Sequence, residues 1–160
     1  MAAILGTIRS FLTAFPFLRA FTDQLVNFIK FQEQGGWDSP RPLSTDLQQQ
    51  VRDVMEILES WPGRTIGERP PTRHLHSDAS GVGWGGLDLK EGTALHEFWR
   101  DQQGLHINVK ELWAAMQTVQ GLAKKGEKVH LGVDNSVAYS YIRKSGGRKP
   151  LFNALMRPFL

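Results

Sequence analysis

Two short segments with a period-two pattern, His74–Asp78 and Lys128–Asp134, constrain the fold of this chain more than any other feature. Such alternation is typical of half-buried strands, and each segment ends in an aspartate. Between them the sequence predicts two more strands, Trp84–Leu89 and Ala94–Arg100, and then a helix over about 108–124. A three-stranded meander that crosses through a helix to a fourth strand predicts an α/β mixed sheet, with the last strand parallel to a neighbour.

The N-terminal part of the chain has a helical pattern instead. Apolar spacing predicts helices over residues 4–14, 17–33 and 45–60. Phe15-Pro16 separates the first two, because the residue before a proline avoids the helical conformation. The Gly- and Pro-rich residues 34–42 predict a linker. We therefore expect a helical segment over 1–71 and an α/β domain over 72–160.

Composition excludes several kinds of chemistry. The chain has no cysteine, which excludes a disulfide framework, a thiolate zinc site and a cysteine nucleophile. Hydrophobic residues at 41% and charged residues at 22% are typical of a globular protein. Arg9 and Arg19 interrupt the apolar N-terminus, so no membrane-spanning helix and no membrane partner are predicted.

Positive charge is concentrated at the C-terminal end. Residues 135–160 contain no acid, although the net charge of the whole chain is only +3. An acid-free basic segment favours an anionic partner, with RNA as the first candidate. Four basic residues surround a flexible Ser145-Gly146-Gly147 loop and are predicted to contact the phosphate backbone: Arg143, Lys144, Arg148 and Lys149. A solvated basic tail is the alternative.

Three acids lie where the predicted topology brings them together: Asp78 ends the first strand, Glu111 begins the helix and Asp134 ends the parallel strand. Clustered carboxylates repel one another unless a cation neutralises them, and Mg²⁺ and Mn²⁺ prefer oxygen ligands. The trio is therefore a candidate metal site. The alternatives are local: a capping box formed by Asn108 and Glu111, a helix-capping turn at Asp134-Asn135, and a turn after Asp78.

Around these acids the sequence resembles the RNase H superfamily, and more closely the RNase H domain of DIRS-type (tyrosine-recombinase) retroelement reverse transcriptases. The similar segments are His76–Ser80, Gly83–Gly85, His106–Asn108, Lys110–Leu112, Val133–Ser136, Tyr141-Ile142 and Gly146-Gly147. The resemblance covers about residues 72–158.

The resemblance implies a two-metal site that hydrolyses RNA in RNA–DNA hybrids, with Asp78, Glu111 and Asp134 as catalytic ligands of Mg²⁺ or Mn²⁺. The family pattern continues to a further strand and a last helix with a fourth acidic residue. After Asp134 this sequence contains no Asp or Glu. We therefore expect a C-terminally truncated RNase H-like domain.

The N-terminus supports two interpretations. Residues 5–19 and Gly36-Trp37-Asp38 are similar to the end of a polymerase thumb and its connection. This resemblance implies that the chain is a reverse-transcriptase remnant. Arg9 and Arg19 among apolar residues, with Ser10 and Thr13, are also typical of a mitochondrial targeting helix. The compartment therefore stays open between mitochondria and another intracellular location.

Two functions follow from these features. The first is a retroelement-derived domain that binds RNA with little or no turnover, as a structural part of a ribonucleoprotein, with no cofactor and with other subunits as partners. The second is an active two-metal ribonuclease H. Absence of the fourth acid favours the first function, which is the expectation here, and presence of the other three acids favours the second.

Overall fold

The computed structural model describes residues 2–35, 42–61 and 70–159. They form two compact units. One contains the described residues of Met1–Thr65 together with Lys144–Pro158, and the other contains the described residues of Ile66–Arg143 together with Phe159. The division expected from sequence placed residues 144–158 with the strands, whereas in the structure they pack with the N-terminal helices. Most of the predicted linker lies outside the described residues.

The first unit is helical. It contains α1 (Ala2–Ser10), α2 (Asp23–Gly35), α3 (Thr45–Ser60), α6 (Pro150–Met156) and 3-10 helices over Phe11–Thr13 and Pro16–Phe21. A third 3-10 helix, Arg157–Phe159, follows α6, and its first two residues belong to this unit. The predicted single helix over 17–33 is wrong, because the helix is interrupted at Thr22. The Thr22 hydroxyl donates to the Arg19 carbonyl at 3.1 Å, and its own carbonyl accepts the first α-helical bond, from Val26. Within the described residues, no helix is both long and apolar enough to cross a membrane.

The core of the first unit is aromatic. Phe17, Leu18 and Phe21 are buried together with Val54 of α3, and the ring of Trp61 lies 4.7 Å from that of Phe17, centre to centre. Burial of large apolar side chains supplies most of the stability of such a unit. Helix α3 has the predicted limits, and its N-terminal cap is the Ser44 hydroxyl, which accepts from the Leu47 N–H at 3.2 Å.

The second unit contains a four-stranded sheet. Its strands are β1 (Arg73–Ala79), β2 (Gly83–Asp88), β3 (Ala94–Phe98) and β4 (Val129–Gly132), in the order β3-β2-β1-β4. The β1–β2 and β2–β3 pairs are antiparallel, and β1 and β4 are parallel. Helix α4 (Ile107–Leu122) packs on β1 and β2, and α5 (Ser136–Lys144) follows β4. The predicted α/β class is confirmed: a meander plus one parallel strand, after a helical N-terminal segment, as in an RNase H-like fold.

Gly86 lies on β2 where Thr118 of α4 crosses the sheet. A Cβ at Gly86 would overlap the buried Thr118 side chain. We expect Gly86→Ala to lower the free energy of unfolding by about 2 kcal/mol, because overpacked cores strain their neighbours. Urea denaturation measures this loss. Gly104→Ala is the matched control, since a Cβ there meets nothing within 4 Å, and an equal loss in both variants would contradict the packing argument.

Candidate metal centre

Three carboxylates converge where β1 and β4 end. Asp78 is exposed near the end of β1, between the buried residues Ser77 and Ala79. Glu111 is the fifth residue of α4 and is 5% exposed. Asp134 is exposed and follows β4 by two residues. One carboxylate oxygen from each of the three acids lies within 4.8 Å of the other two.

Strand pairing explains why the two aspartates meet. Parallel strands carry their carboxyl ends to the same edge of a sheet, where α/β proteins usually build their sites. The β1–β4 register, with His76 opposite Gly132, ends two residues before both Asp78 and Asp134. The two aspartates therefore leave the pairing at equivalent positions.

A bond between two asparagines fixes the segment that carries Asp134. The Asn135 side-chain amide donates to Oδ1 of Asn108 at 2.9 Å, which joins the start of α5 to the start of α4. Oδ1 of Asn135 accepts from the N–H groups of Val137 and Ala138, each at 3.0 Å. The cap predicted at Asp134-Asn135 is thus made by the asparagine, which leaves the Asp134 carboxylate in the cluster.

The structure also tests the two other local interpretations of these acids, namely a capping box formed by Asn108 and Glu111 and a turn after Asp78. The Asn108–Glu111 capping box is wrong, because His106 is the N-cap of α4 and its Nδ1 accepts from the Asn108 N–H at 3.1 Å. The turn after Asp78 is present, but Ser80 makes it: the Ser80 hydroxyl accepts two backbone N–H groups at 3.2 Å each. Neither the N-cap of α4 nor the turn after Asp78 uses a carboxylate of the cluster.

Glu111 is the electrostatically unusual member of the cluster. The pKa of its carboxyl is raised to about 7, mainly because the group is buried and also because the charges of Asp134 and Asp78 are close. The hydrogen bond from the Ala79 N–H lowers this pKa, but by less than the other causes raise it. Its Oε2 is buried and has no hydrogen-bond partner among the described residues. An unsatisfied buried oxygen between two further carboxylates favours a cation, because the cation would neutralise the repulsion and supply the missing partner.

The donor set therefore fits a divalent metal ion. All three candidate ligands are carboxylates, which suit Mg²⁺ and Mn²⁺ better than softer metals. Asp78 and Asp134 are exposed, so solvent reaches the cluster, whereas Glu111 is buried.

Lys110 supports the site without belonging to the cluster. It is 4% exposed, and its ammonium donates to the carbonyls of Gly81 at 3.2 Å and Gln103 at 2.9 Å. The ammonium also lies 5.4 Å from the centre of the Trp99 ring. It thus ties the loop after β1 to the loop before α4. Sequence reasoning missed this role, because two of the three partners are backbone carbonyls that no side-chain pattern reveals.

The four basic residues predicted to bind RNA are all exposed. Arg143 ends the second unit, whereas Lys144, Arg148 and Lys149 belong to the first. The intervening loop, expected to be flexible, is held by Asn153, which is fully buried and exchanges two hydrogen bonds with the Gly147 backbone. RNA binding by the four residues stays a prediction.

Comparison of the chain with protein-family models, with curated proteins and with solved structures finds no match. The functional interpretation therefore depends on the geometry of the carboxylate cluster, on the distribution of charge and on the motifs in the sequence.

Proposed function

We propose that this chain is an RNase H-like domain that binds Mg²⁺ or Mn²⁺ and hydrolyses the RNA strand of RNA–DNA hybrids. The observation that supports the proposal most is the environment of Glu111. Its buried carboxyl has an unpartnered oxygen and lies within 4.8 Å of Asp78 and Asp134. A purely structural glutamate at this depth would have its oxygens paired.

The residues of the chain have separable roles in this reaction. Asp78, Glu111 and Asp134 would hold the ions, and the Asn135–Asn108 bond keeps the Asp134 segment against α4. Glu111 must lose its proton to act as a ligand, and with a pKa of about 7 it does so near neutral pH. When bound, the ions supply Lewis-acid chemistry, namely activation of water and stabilisation of the leaving oxygen of a phosphodiester.

A hybrid is proposed as the substrate because of the resemblance to RNase H domains of retroelements. The experiment compares four labelled substrates of one sequence: RNA–DNA hybrid, single-stranded RNA, double-stranded RNA and double-stranded DNA, each in Mg²⁺ and in Mn²⁺. We expect cleavage of the RNA strand in the hybrid alone, abolished by a chelator. A folded chain that leaves the hybrid intact in both metals would contradict the proposal.

A second candidate function is RNA binding without turnover, as part of a ribonucleoprotein. The observation in its favour is the acid-free basic segment 135–160. In this case the chain would bind RNA in a salt-sensitive way while the hybrid stays uncleaved, so the same experiment separates the two candidates. Binding of single-stranded RNA by the intact chain is the additional measurement.

Replacement of the basic residues around the 145–147 loop tests RNA contact directly. We expect alanine at Arg143, Lys144, Arg148 and Lys149 to weaken RNA binding and to reduce its salt dependence. Removing one cation from the phosphates of a single strand lowers the slope of log K against log salt by about 0.7. Fluorescence anisotropy at several salt concentrations measures both effects.

The control removes the same number of charges elsewhere. It places alanine at four exposed basic residues of the second unit: Lys90, Arg100, Lys124 and Lys125. If both variants keep the RNA affinity and salt slope of the wild type, the four predicted residues do not contact RNA.

A further inference from the structure

A basic cavity of about 620 Å³ lies within the helical unit. Its volume falls in the range of small-molecule sites, about 300–1,000 Å³. The cavity is lined by five basic side chains, of Arg9, Arg19, Lys30, Lys144 and Arg148. Two of these were predicted to contact RNA, and the other three come from the N-terminal helices. The fold thus brings together positive charges that are more than a hundred residues apart in sequence.

The charge of the cavity is not balanced by the protein. In the part of the chain that the structure describes, none of the five basic side chains forms an ion pair or a side-chain hydrogen bond. Asp23 is the only acid among the lining residues, and its Oδ1 already accepts from Arg157 at 2.6 Å and from Gln50 at 2.9 Å. Asp23 is therefore neutralised by Arg157, and the cavity keeps a strong positive potential.

The loop that lines the cavity through Gly146 and Gly147 is fixed in place. Gly146 has a φ of 131°, and a Cβ there would lie 2.8 Å from the Ala20 backbone nitrogen. Only glycine allows this close approach. Asn153 holds the next residue, since it accepts from the Gly147 N–H at 2.8 Å and donates to the Gly147 carbonyl at 3.0 Å. Lys144 and Arg148 therefore flank a loop seated on the same 3-10 helix that carries Arg19.

We propose that this cavity binds a phosphate group, either of an RNA backbone or of a free phosphorylated small molecule. Phosphate matches the site because it offers several anionic oxygens at once, and arginine and lysine side chains bind these through charge-assisted hydrogen bonds. Fixed backbone around the cations lowers the cost of ordering on binding. The proposal is independent of the carboxylate cluster, because every residue lining the cavity belongs to the other unit.

Titration of the full chain with inorganic pyrophosphate tests the proposal, by calorimetry at low salt. The cavity variant combines Arg9→Gln, Arg19→Gln and Lys30→Gln, and leaves all four residues of the predicted RNA contact unchanged. The control combines Lys90→Gln, Arg100→Gln and Lys125→Gln, three exposed residues of the second unit. Circular dichroism and urea denaturation verify that both variants fold.

We expect the wild type and the control to bind pyrophosphate, and the cavity variant to bind at least ~10-fold more weakly, because hydrogen bonds between charged groups are among the strongest that proteins make. If the cavity variant also loses RNA affinity, the phosphate is that of RNA. If it binds RNA as the wild type does, the ligand is a free phosphorylated molecule. A wild type that does not bind pyrophosphate, or a folded cavity variant that binds it equally well, would overturn the proposal.

Discussion

Asp134→Asn is expected to abolish cleavage of an RNA–DNA hybrid, with a loss of at least ~100-fold, because even residues that only orient metal ligands cost about 10- to 100-fold when replaced. Asparagine keeps the size of the side chain and its neighbouring Asn135–Asn108 bond, but it removes one of the three negative charges that would hold the ions. The rate of RNA-strand cleavage in Mn²⁺ measures the loss.

Asp101→Asn serves as the control for this variant. Asp101 is an exposed acid of the same unit, so its replacement changes the net charge equally without touching the cluster. We expect Asp101→Asn to cleave at the rate of the wild type. Hybrid cleavage by Asp134→Asn at that same rate would show that the reaction does not use the cluster.

Glu111→Gln is expected to stabilise the metal-free protein at alkaline pH while it weakens metal binding. The pKa of Glu111 rises from an ordinary value of 4.5 to about 7 in the folded chain, chiefly through burial. A raised carboxyl pKa means that the folded state holds the proton more tightly than the unfolded state. The wild type therefore loses stability as the pH rises from about 4.5 to about 7, and stays less stable above pH 7. Glutamine does not ionise and avoids this loss.

The size of this effect follows from the pKa difference. We expect Glu111→Gln to exceed the wild type in free energy of unfolding by about 2–3 kcal/mol near pH 8, and by almost nothing near pH 4. Urea denaturation with a chelator present, at several pH values, measures the difference. Added Mn²⁺ should stabilise the wild type more than the variant, because an ion that binds only the folded state stabilises that state.

Glu97→Gln is the matched control, because Glu97 lies in the same unit and its side chain is 55% exposed, with one long contact to Arg100. Exposed pairs of this kind contribute about 0–1 kcal/mol. A pH-independent difference between Glu111→Gln and the wild type would mean that Glu111 does not titrate between pH 4.5 and 7.

Much of the fold follows from local pattern. Period-two alternation predicted β1 and β4, the meander between them predicted β2 and β3, and apolar spacing predicted the limits of α3. Long-range packing was not predictable in the same way. Residues 144–158 join the helical unit through contacts such as the one from Arg157 to Asp23, 134 positions away. The break at Thr22 was missed because it depends on one side-chain hydroxyl within a continuous apolar pattern.

The candidate site also combines features that the sequence pattern predicts with features that depend on long-range contacts. Asp78, Glu111 and Asp134 were grouped from sequence because parallel strand ends meet at one sheet edge, and the structure brings these carboxylates within 4.8 Å of one another. The Asn135–Asn108 bond was not foreseen, since it joins two polar side chains 27 positions apart. Only part of the basic cavity was predictable from the sequence. Lys144 and Arg148 belong to the acid-free segment that predicted an anionic partner. Arg9, Arg19 and Lys30 join them only through tertiary packing.

Direct titration of the full chain with Mn²⁺, by calorimetry, tests the central claim that the three carboxylates form a divalent metal site. The comparison is between the wild type and the double variant Asp78→Asn/Asp134→Asn, with the double variant Glu97→Gln/Asp101→Asn as the control for charge. We predict Mn²⁺ binding with proton release near pH 7 for the wild type and the control, since Glu111 must ionise to act as a ligand. Equal Mn²⁺ affinity in the wild type and the folded double variant would contradict the claim.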